Sequence, residues 1–186
     1  MSRLLIKATP LAGLFLVSRS RVEDQRGYLS RVFCAEELAP YGWTQSVAQI
    51  NHTKTKLRGT VRGLHYQRQP HSEAKLVSCL RGEVWDVAID LRPVSPTYLQ
   101  WHAQLLTSEN GLALLIPPGF AHGFQALSDD VELLYCHSTP YTPAAEAGIN
   151  PQDPLLAINW PLPVICMSAR DKSHPFIQFD FEGVSL

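Results

Sequence analysis

The sequence predicts an all-β protein, an antiparallel sandwich or barrel with a few short helices, on three observations. Short apolar and β-branched runs recur along the chain, glycine and proline punctuate them, and neither βα alternation nor a long helical period appears.

Taken in order, helix is expected near Ala35 to Leu38 and for a turn or two around Ser168 to Ser173. Between these lie Leu76 to Leu80, the turn Arg81-Gly82 and the run Val84 to Leu91, which together read as a hairpin. A corner at Arg92-Pro93 and Ser95-Pro96 follows, then Leu99 to Leu106 and the polar turn Ser108-Glu109-Asn110-Gly111. Leu112 to Ile116, the Pro117-Pro118-Gly119 break and Val131 to Cys136 complete the pattern. Fourteen prolines, many near strand ends, suit tight connections in such a fold.

At 186 residues and 45% hydrophobic content, the chain supports one core, so a single domain over 1–186 is expected. Lysine plus arginine (16) nearly balance aspartate plus glutamate (17) without any run of like charge, which argues against a nucleic-acid partner. Cys34, Cys79, Cys136 and Cys166 are far apart and form no C-x-x-C pair, so free thiols in a reducing cytoplasm are expected. Leu11 to Val17 is apolar, but Lys7 and Pro10 interrupt what precedes it, and neither a signal peptide nor a membrane span is read.

Two segments place ionisable groups beside glycine and proline in this β-rich chain: Arg58 to Lys75 and Gly111 to Phe124. In the second, Gly111 is followed by Pro117-Pro118-Gly119 and His122, a spacing that resembles the second motif of the cupin superfamily. In the first, Gly63-Leu64-His65-Tyr66-Gln67 running on to Gly82-Glu83 resembles the first cupin motif. The cupin fold, a double-stranded β-helix or jelly roll, is what this resemblance implies. Metal-binding cupins carry a second histidine where Gln67 stands and a glutamate near Lys75. A cation repels a metal and glutamine is a poor replacement for imidazole, so neither a metal nor another cofactor is expected. A metal-dependent cupin oxygenase is disfavoured for the same reason.

Read together, Arg62 to Gln67, Ala74-Lys75-Leu76-Val77, Gly82 to Val87 and Pro118-Gly119-Phe120-Ala121-His122-Gly123-Phe124 resemble dTDP-4-dehydrorhamnose 3,5-epimerase and its relatives. Asp24 to Gly27, Gln49-Ile50-Asn51, Tyr135, Tyr141, Glu146 to Ile149 and Ser168 to Asp171 extend the match in the same order. The resemblance implies epimerisation at C3, C5 or both of a nucleotide-linked 4-keto-6-deoxyhexose, in deoxysugar biosynthesis, by a homodimer.

A C4 ketone acidifies the hydrogens on C3 and C5, so inversion needs a base on one face, an acid on the other and support for the enolate. The resemblance makes His65 the base, Asp171 its hydrogen-bond partner, Tyr135 the opposing acid and Lys75 the cation at the C4 oxygen. Asp86 would orient Lys75, although its alternation with Val84, Ala88 and Asp90 also suits a solvated sheet face. Arg26, Arg62 and His122 match contacts to the diphosphate, Tyr141 an aromatic that stacks on the base, and Gln49, Asn51 and Glu146 polar contacts to the ligand. The intact set argues against a catalytically dead binding module. His52, His71, His102, His137 and His174 read as structural or surface histidines.

Three substitutions depart from the family pattern. Arg31 stands at the place of a glutamate that contacts the base, Ile50 replaces an aspartate, and Arg170 replaces a lysine before Asp171. Arginine only donates, which suits an acceptor-rich base such as cytosine, so a carrier such as CDP stays open beside dTDP.

Overall fold

The computed structural model describes residues 3–186. In chain order the strands are β1 (Leu4–Ala8), β2 (Phe15–Arg19), β3 (Arg21–Asp24) and β4 (Gly27–Ser30), followed by the short helix α1 (Ala35–Leu38). Next come β5 (Gln49–Thr55), β6 (Val61–Gln67), β7 (Lys75–Arg81), β8 (Glu83–Asp90) and β9 (Trp101–Thr107). The chain continues through β10 (Leu112–Ile116), β11 (Phe120–Ala126), β12 (Val131–His137), β13 (Glu146–Gly148) and the helix α2 (Ala169–Ser173). Among the described residues no helix is long and apolar enough to cross a membrane.

Two antiparallel sheets face each other. One has the order β1-β2-β10-β7-β12-β5 and the other β13-β6-β11-β8-β9, while β3 and β4 form a separate ribbon. This is the jelly roll expected of a cupin.

The alternation of side chains explains why several strands read as unbroken apolar runs. On β10, Leu114 and Ile116 join the core between the sheets, while Ala113 and Leu115 pack outward against Trp43 and Leu38. On β8, Ala88 faces inward, and Val87 and Ile89 pack outward against Leu64 and Ala121. Both faces of each sheet are thus covered, and a strand buried on both sides needs no polar alternation.

Two expectations are corrected. The runs around Arg81-Gly82 are successive strands but not a hairpin: β7 pairs with β10 and β12, whereas β8 pairs with β11 and β9. Gly82, at φ +75°, turns the chain from one sheet to the other, and a Cβ there would meet Ser128 Oγ at 2.4 Å. The true partner of β8 lies beyond the proline corner, where the Asp90 carboxylate accepts from Arg92, Ser95 and Thr97 and shapes the connection to β9. The face carrying Asp86 and Asp90 is not solvated either, since both residues are wholly buried.

Glycine is required where β6 runs against its neighbour β11. Gly63 has φ +121°, and a Cβ on it would lie 2.5 Å from Gly123 Cα and 2.8 Å from the His122 carbonyl oxygen. A Cβ on Gly123 would meet the Arg62 carbonyl oxygen at 2.6 Å. This approach, with a register shift between His122 and Phe124, sets His65 directly opposite His122. Gly63→Ala is expected to destabilise the protein by about 3 kcal/mol through backbone strain and overpacking, measured by urea unfolding.

Candidate active site

A cavity of about 720 Å³ opens between the two sheets. That volume suits a ligand of nucleotide-sugar size. From the five-stranded sheet β6 contributes Arg62, His65 and Gln67, β11 contributes His122, and β13 contributes Glu146. From the facing sheet β5 contributes Gln49 and Asn51, β7 Lys75, and β12 Tyr135 and His137. Tyr141 follows β12, and Arg170 and Asp171 lie on α2.

His65 and Asp171, 106 residues apart, meet at 2.9 Å between Nε2 and Oδ1. The Asp171 backbone is fixed because its N–H donates to the helix-capping Ser168 Oγ at 3.0 Å. Oδ2 accepts the Gly63 N–H at 3.3 Å. Burial alone would raise the Asp171 carboxyl, but the His65 hydrogen bond and charge, aided by Ser168 and Gly63, hold it below the ordinary carboxylate range. A carboxylate at that position accepts Nε2–H, which leaves Nδ1 of His65 with the free lone pair.

The sign of the pH dependence follows. The unfolded carboxyl takes up its proton first as pH falls, so the Asp171 contribution to stability is complete above about pH 4–5 and is lost as pH falls through the lower folded value. Asp171→Asn should therefore flatten the loss of unfolding free energy between about pH 5 and 3, read by urea titration at each pH.

Tyr135 lies in the core between the sheets and is 9% exposed, yet lines the cavity. Burial, then the nearby Asp86 charge, push its phenol well above the usual range, so it holds its proton as a donor. Its ring meets His122 edge-on at 5.9 Å and stacks on His137 at 6.0 Å.

Asp86 does not orient Lys75. Its Oδ1 pairs with His122 Nε2 at 2.9 Å, because both side chains point inward from register-neighbouring positions on β8 and β11. Lys75 Nζ instead pairs with Glu73 Oε1 at 3.1 Å. The expected orienting role thus moves from Lys75 to His122.

The remaining polar residues interlock. Arg62 Nε donates to Thr55 Oγ1 at 3.0 Å. Glu146 Oε2 accepts from Tyr141 Oη at 2.7 Å and from Arg170 Nη1 at 2.9 Å. Gln49 Nε2 donates to Asn51 Oδ1 at 3.0 Å. Gln67, at the place of a cupin metal ligand, spends its amide on the loop, accepting from Thr142 N and donating to the His71 and Pro140 carbonyls.

Arg26 and Arg31 are not brought to this cavity. Arg26 sits exposed in the turn between β3 and β4 and pairs with Asp24, and Arg31 pairs with Glu37 of α1. Three residues read as unassigned or passed over do reach the site: Glu73 and His137 line the cavity, and the His174 ring lies 5.5 Å from that of His65. Period-two reading would have found the first two, since Glu73 stands two residues before Lys75 and His137 two after Tyr135.

His65, Asp171 and His174 bring ligand-type atoms within 4.8 Å of one another. Arg170 puts Nη2 3.5 Å from His65 Nε2 and Nε 4.0 Å from Asp171 Oδ1. That fixed positive charge opposes a dication, and the donors fit an acid–base pair better than a metal centre.

Residues 8–178 match the sequence model of a family described as dTDP-4-dehydrorhamnose 3,5-epimerase. A dTDP-4-dehydrorhamnose 3,5-epimerase of Sinorhizobium fredii is 36% identical over 94% of this chain and 90% of that relative. A dTDP-4-dehydrorhamnose 3-epimerase of Streptomyces niveus is 37% identical over 87% of this chain and 78% of its own length. Among solved structures, a dTDP-6-deoxy-D-glucose-3,5-epimerase of Legionella pneumophila in complex with dTDP-4-keto-L-rhamnose superposes with a TM-score of 0.88. It is 38% identical, over 93% of this chain and 92% of that one.

Proposed function

Because the chain belongs to the dTDP-4-dehydrorhamnose 3,5-epimerase family, we propose that His65 is the base with which it inverts C3, C5 or both of a nucleotide-linked 4-keto-6-deoxyhexose. The enzyme is an isomerase of deoxysugar biosynthesis. The observation that carries the residue assignment is the His65–Asp171 pair at 2.9 Å, with His65 on the sheet that faces Tyr135 and Lys75 across one cavity.

Nδ1 of His65 takes the proton from carbon, and the electron pair moves toward the C4 oxygen to give an enolate. The imidazolium formed is stabilised by the buried Asp171 carboxylate. Lys75 supplies positive charge to the enolate oxygen, and the Tyr135 phenol returns a proton from the opposite face. Arg62 and His122 hold the diphosphate, His122 being fixed by Asp86. Tyr141 stacks on the base, with Gln49, Asn51, Glu146 and Arg170 as polar contacts to the ligand.

The relatives named as 3-epimerase and 3,5-epimerase match this chain almost equally, at 37% and 36% identity. The deciding experiment is proton NMR of a dTDP-linked 4-keto-6-deoxyhexose in deuterated water, following C3 and C5 separately. Exchange with inversion at either centre supports the reading, and absence of exchange at both would remove it.

The relatives' names favour dTDP as carrier, and Arg31 is held by Glu37 of its own chain rather than free to read a base. Titration with dTDP, CDP, GDP and UDP should show preference for dTDP, and tighter CDP binding would restore the altered-carrier alternative.

The ribbon of β3 and β4 exposes Val22, Tyr28 and Leu29 together with Arg26. We infer that it docks on a second copy and that Arg26 completes that copy's diphosphate site. Sedimentation equilibrium should then give the mass of two chains, and Arg26→Ala should raise KM about tenfold with kcat little changed.

A further inference from the structure

A row of residues crosses the six-stranded sheet where it faces the cavity. Gln49 on β5, His137 on β12 and Lys75 on β7 are register partners. Glu73, just before β7, turns its carboxylate into the row. Oε1 accepts from Lys75 Nζ at 3.1 Å and Oε2 from His137 Nδ1 at 2.7 Å. The three side chains are 7–13% exposed, so a carboxylate here needs partners on both oxygens. Burial works to raise the Glu73 carboxyl, but His137 and Lys75 outweigh it and hold it below its ordinary value.

The direction of every bond follows from one group that cannot be reversed. The Tyr141 backbone N–H donates to Gln49 Oε1 at 2.9 Å. Gln49 Nε2 must then donate to Asn51 Oδ1, which turns Asn51 Nδ2 toward His137 Nε2 at 3.4 Å. An amide nitrogen has no lone pair to offer, so His137 Nε2 accepts and its proton sits on Nδ1, bonded to Glu73.

We propose that Glu73 and His137 are positioning residues for the epimerisation, holding the Lys75 ammonium at the enolate oxygen and linking it to the loop that carries Tyr141. The proposal rests on the assignment of Lys75 to the enolate. Left with Lys75 alone, Glu73 would cancel much of the charge the enolate needs. The His137 N–H takes up part of the carboxylate's charge and frees Lys75 to act on the substrate. Because His137 also stacks on Tyr135, the same imidazole contacts the acid and steadies the cation.

One test does not depend on turnover. Nitrogen-15 NMR of histidine-labelled enzyme should find the His137 proton on Nδ1, and a proton on Nε2 alone would overturn the row. The second test uses Glu73→Gln and His137→Phe, which keep size while removing the carboxylate charge and the imidazole donor. Each should lower kcat about 10- to 100-fold with KM little changed. His137→Asn, which puts an amide nitrogen near the place of Nδ1, should restore much of the loss. Unchanged kcat in His137→Phe, or a rise in KM alone, would overturn the proposal. A wild-type enzyme without hydrogen exchange would instead remove the functional reading, with the tautomer still deciding the row.

Discussion

His65→Gln is expected to abolish hydrogen exchange at both C3 and C5, lowering turnover by on the order of 10³–10⁴-fold. Glutamine is the informative replacement because Asp171 bonds Nε2 of His65, not Nδ1. The amide nitrogen of glutamine reaches about the same place, so the buried carboxylate keeps a donor while the basic lone pair on the other side of the ring is gone. Alanine would mix two effects, since it would also strand a carboxylate that is 4% exposed. NMR in deuterated water reads both centres in one spectrum, and a thermal melt checks the fold. Exchange persisting near the wild-type rate at either carbon would show that another group is the base there. His174 is the neighbour to examine in that event. Its ring lies 5.5 Å from that of His65, and burial, then the His65 charge, lower its pKa.

The fold was legible where strands are apolar and obscure where they carry the chemistry. The apolar runs coincide with β10 to the residue and with β7, β8 and β12 to within a residue or two, because Leu, Val and Ile recur along them between turn residues. β6 and β11 carry no strand signal in the sequence. Their Arg62-Gly63-Leu64-His65-Tyr66-Gln67 and Phe120-Ala121-His122-Gly123-Phe124 interleave glycine, histidine and arginine with apolar residues, which erases the period-two signal. The residues that hide these strands are those that line the cavity.

The family resemblance pairs His65 with Asp171, as the structure does, but it does not give the partners of Lys75 and Asp86. His65, Lys75, His122, Tyr135 and Asp171 come together although the last two lie far along the chain from the first. The partners of Lys75 and Asp86 were exchanged, because pairing across a sandwich depends on which sheet each strand enters. The turn at Gly82 does not reveal that locally. Once β8 is assigned to the sheet of β11, Asp86 shares a face with His122 one register pair away, and Lys75 on the other sheet takes the carboxylate of Glu73 just before its strand. Arg26 and Arg31 lie outside the cavity because each is held by a carboxylate of its own chain, Arg26 by Asp24 and Arg31 by Glu37, pairings that the motif spacing does not reveal.

Tyr135→Phe should separate two events that the wild-type enzyme couples. Removing the hydroxyl leaves His65 and Lys75 in place, so the carbon-bound proton can still leave and the enolate can still form. The imidazolium that took the proton then returns it on the same face, and deuterium enters with retention. Inversion is expected to fall about 100- to 1,000-fold while exchange at the same centre falls far less. Phenylalanine is tolerated because the ring packs in the core between the sheets beside Val77 and Leu133. The phenol is a sound donor for the reason that makes it a poor ionised group: burial raises its pKa, so at neutral pH it carries the proton it must give. Loss of exchange in step with inversion would mean that the hydroxyl also supports the enolate. Inversion at the wild-type rate would mean that water or another side chain delivers the proton to that face.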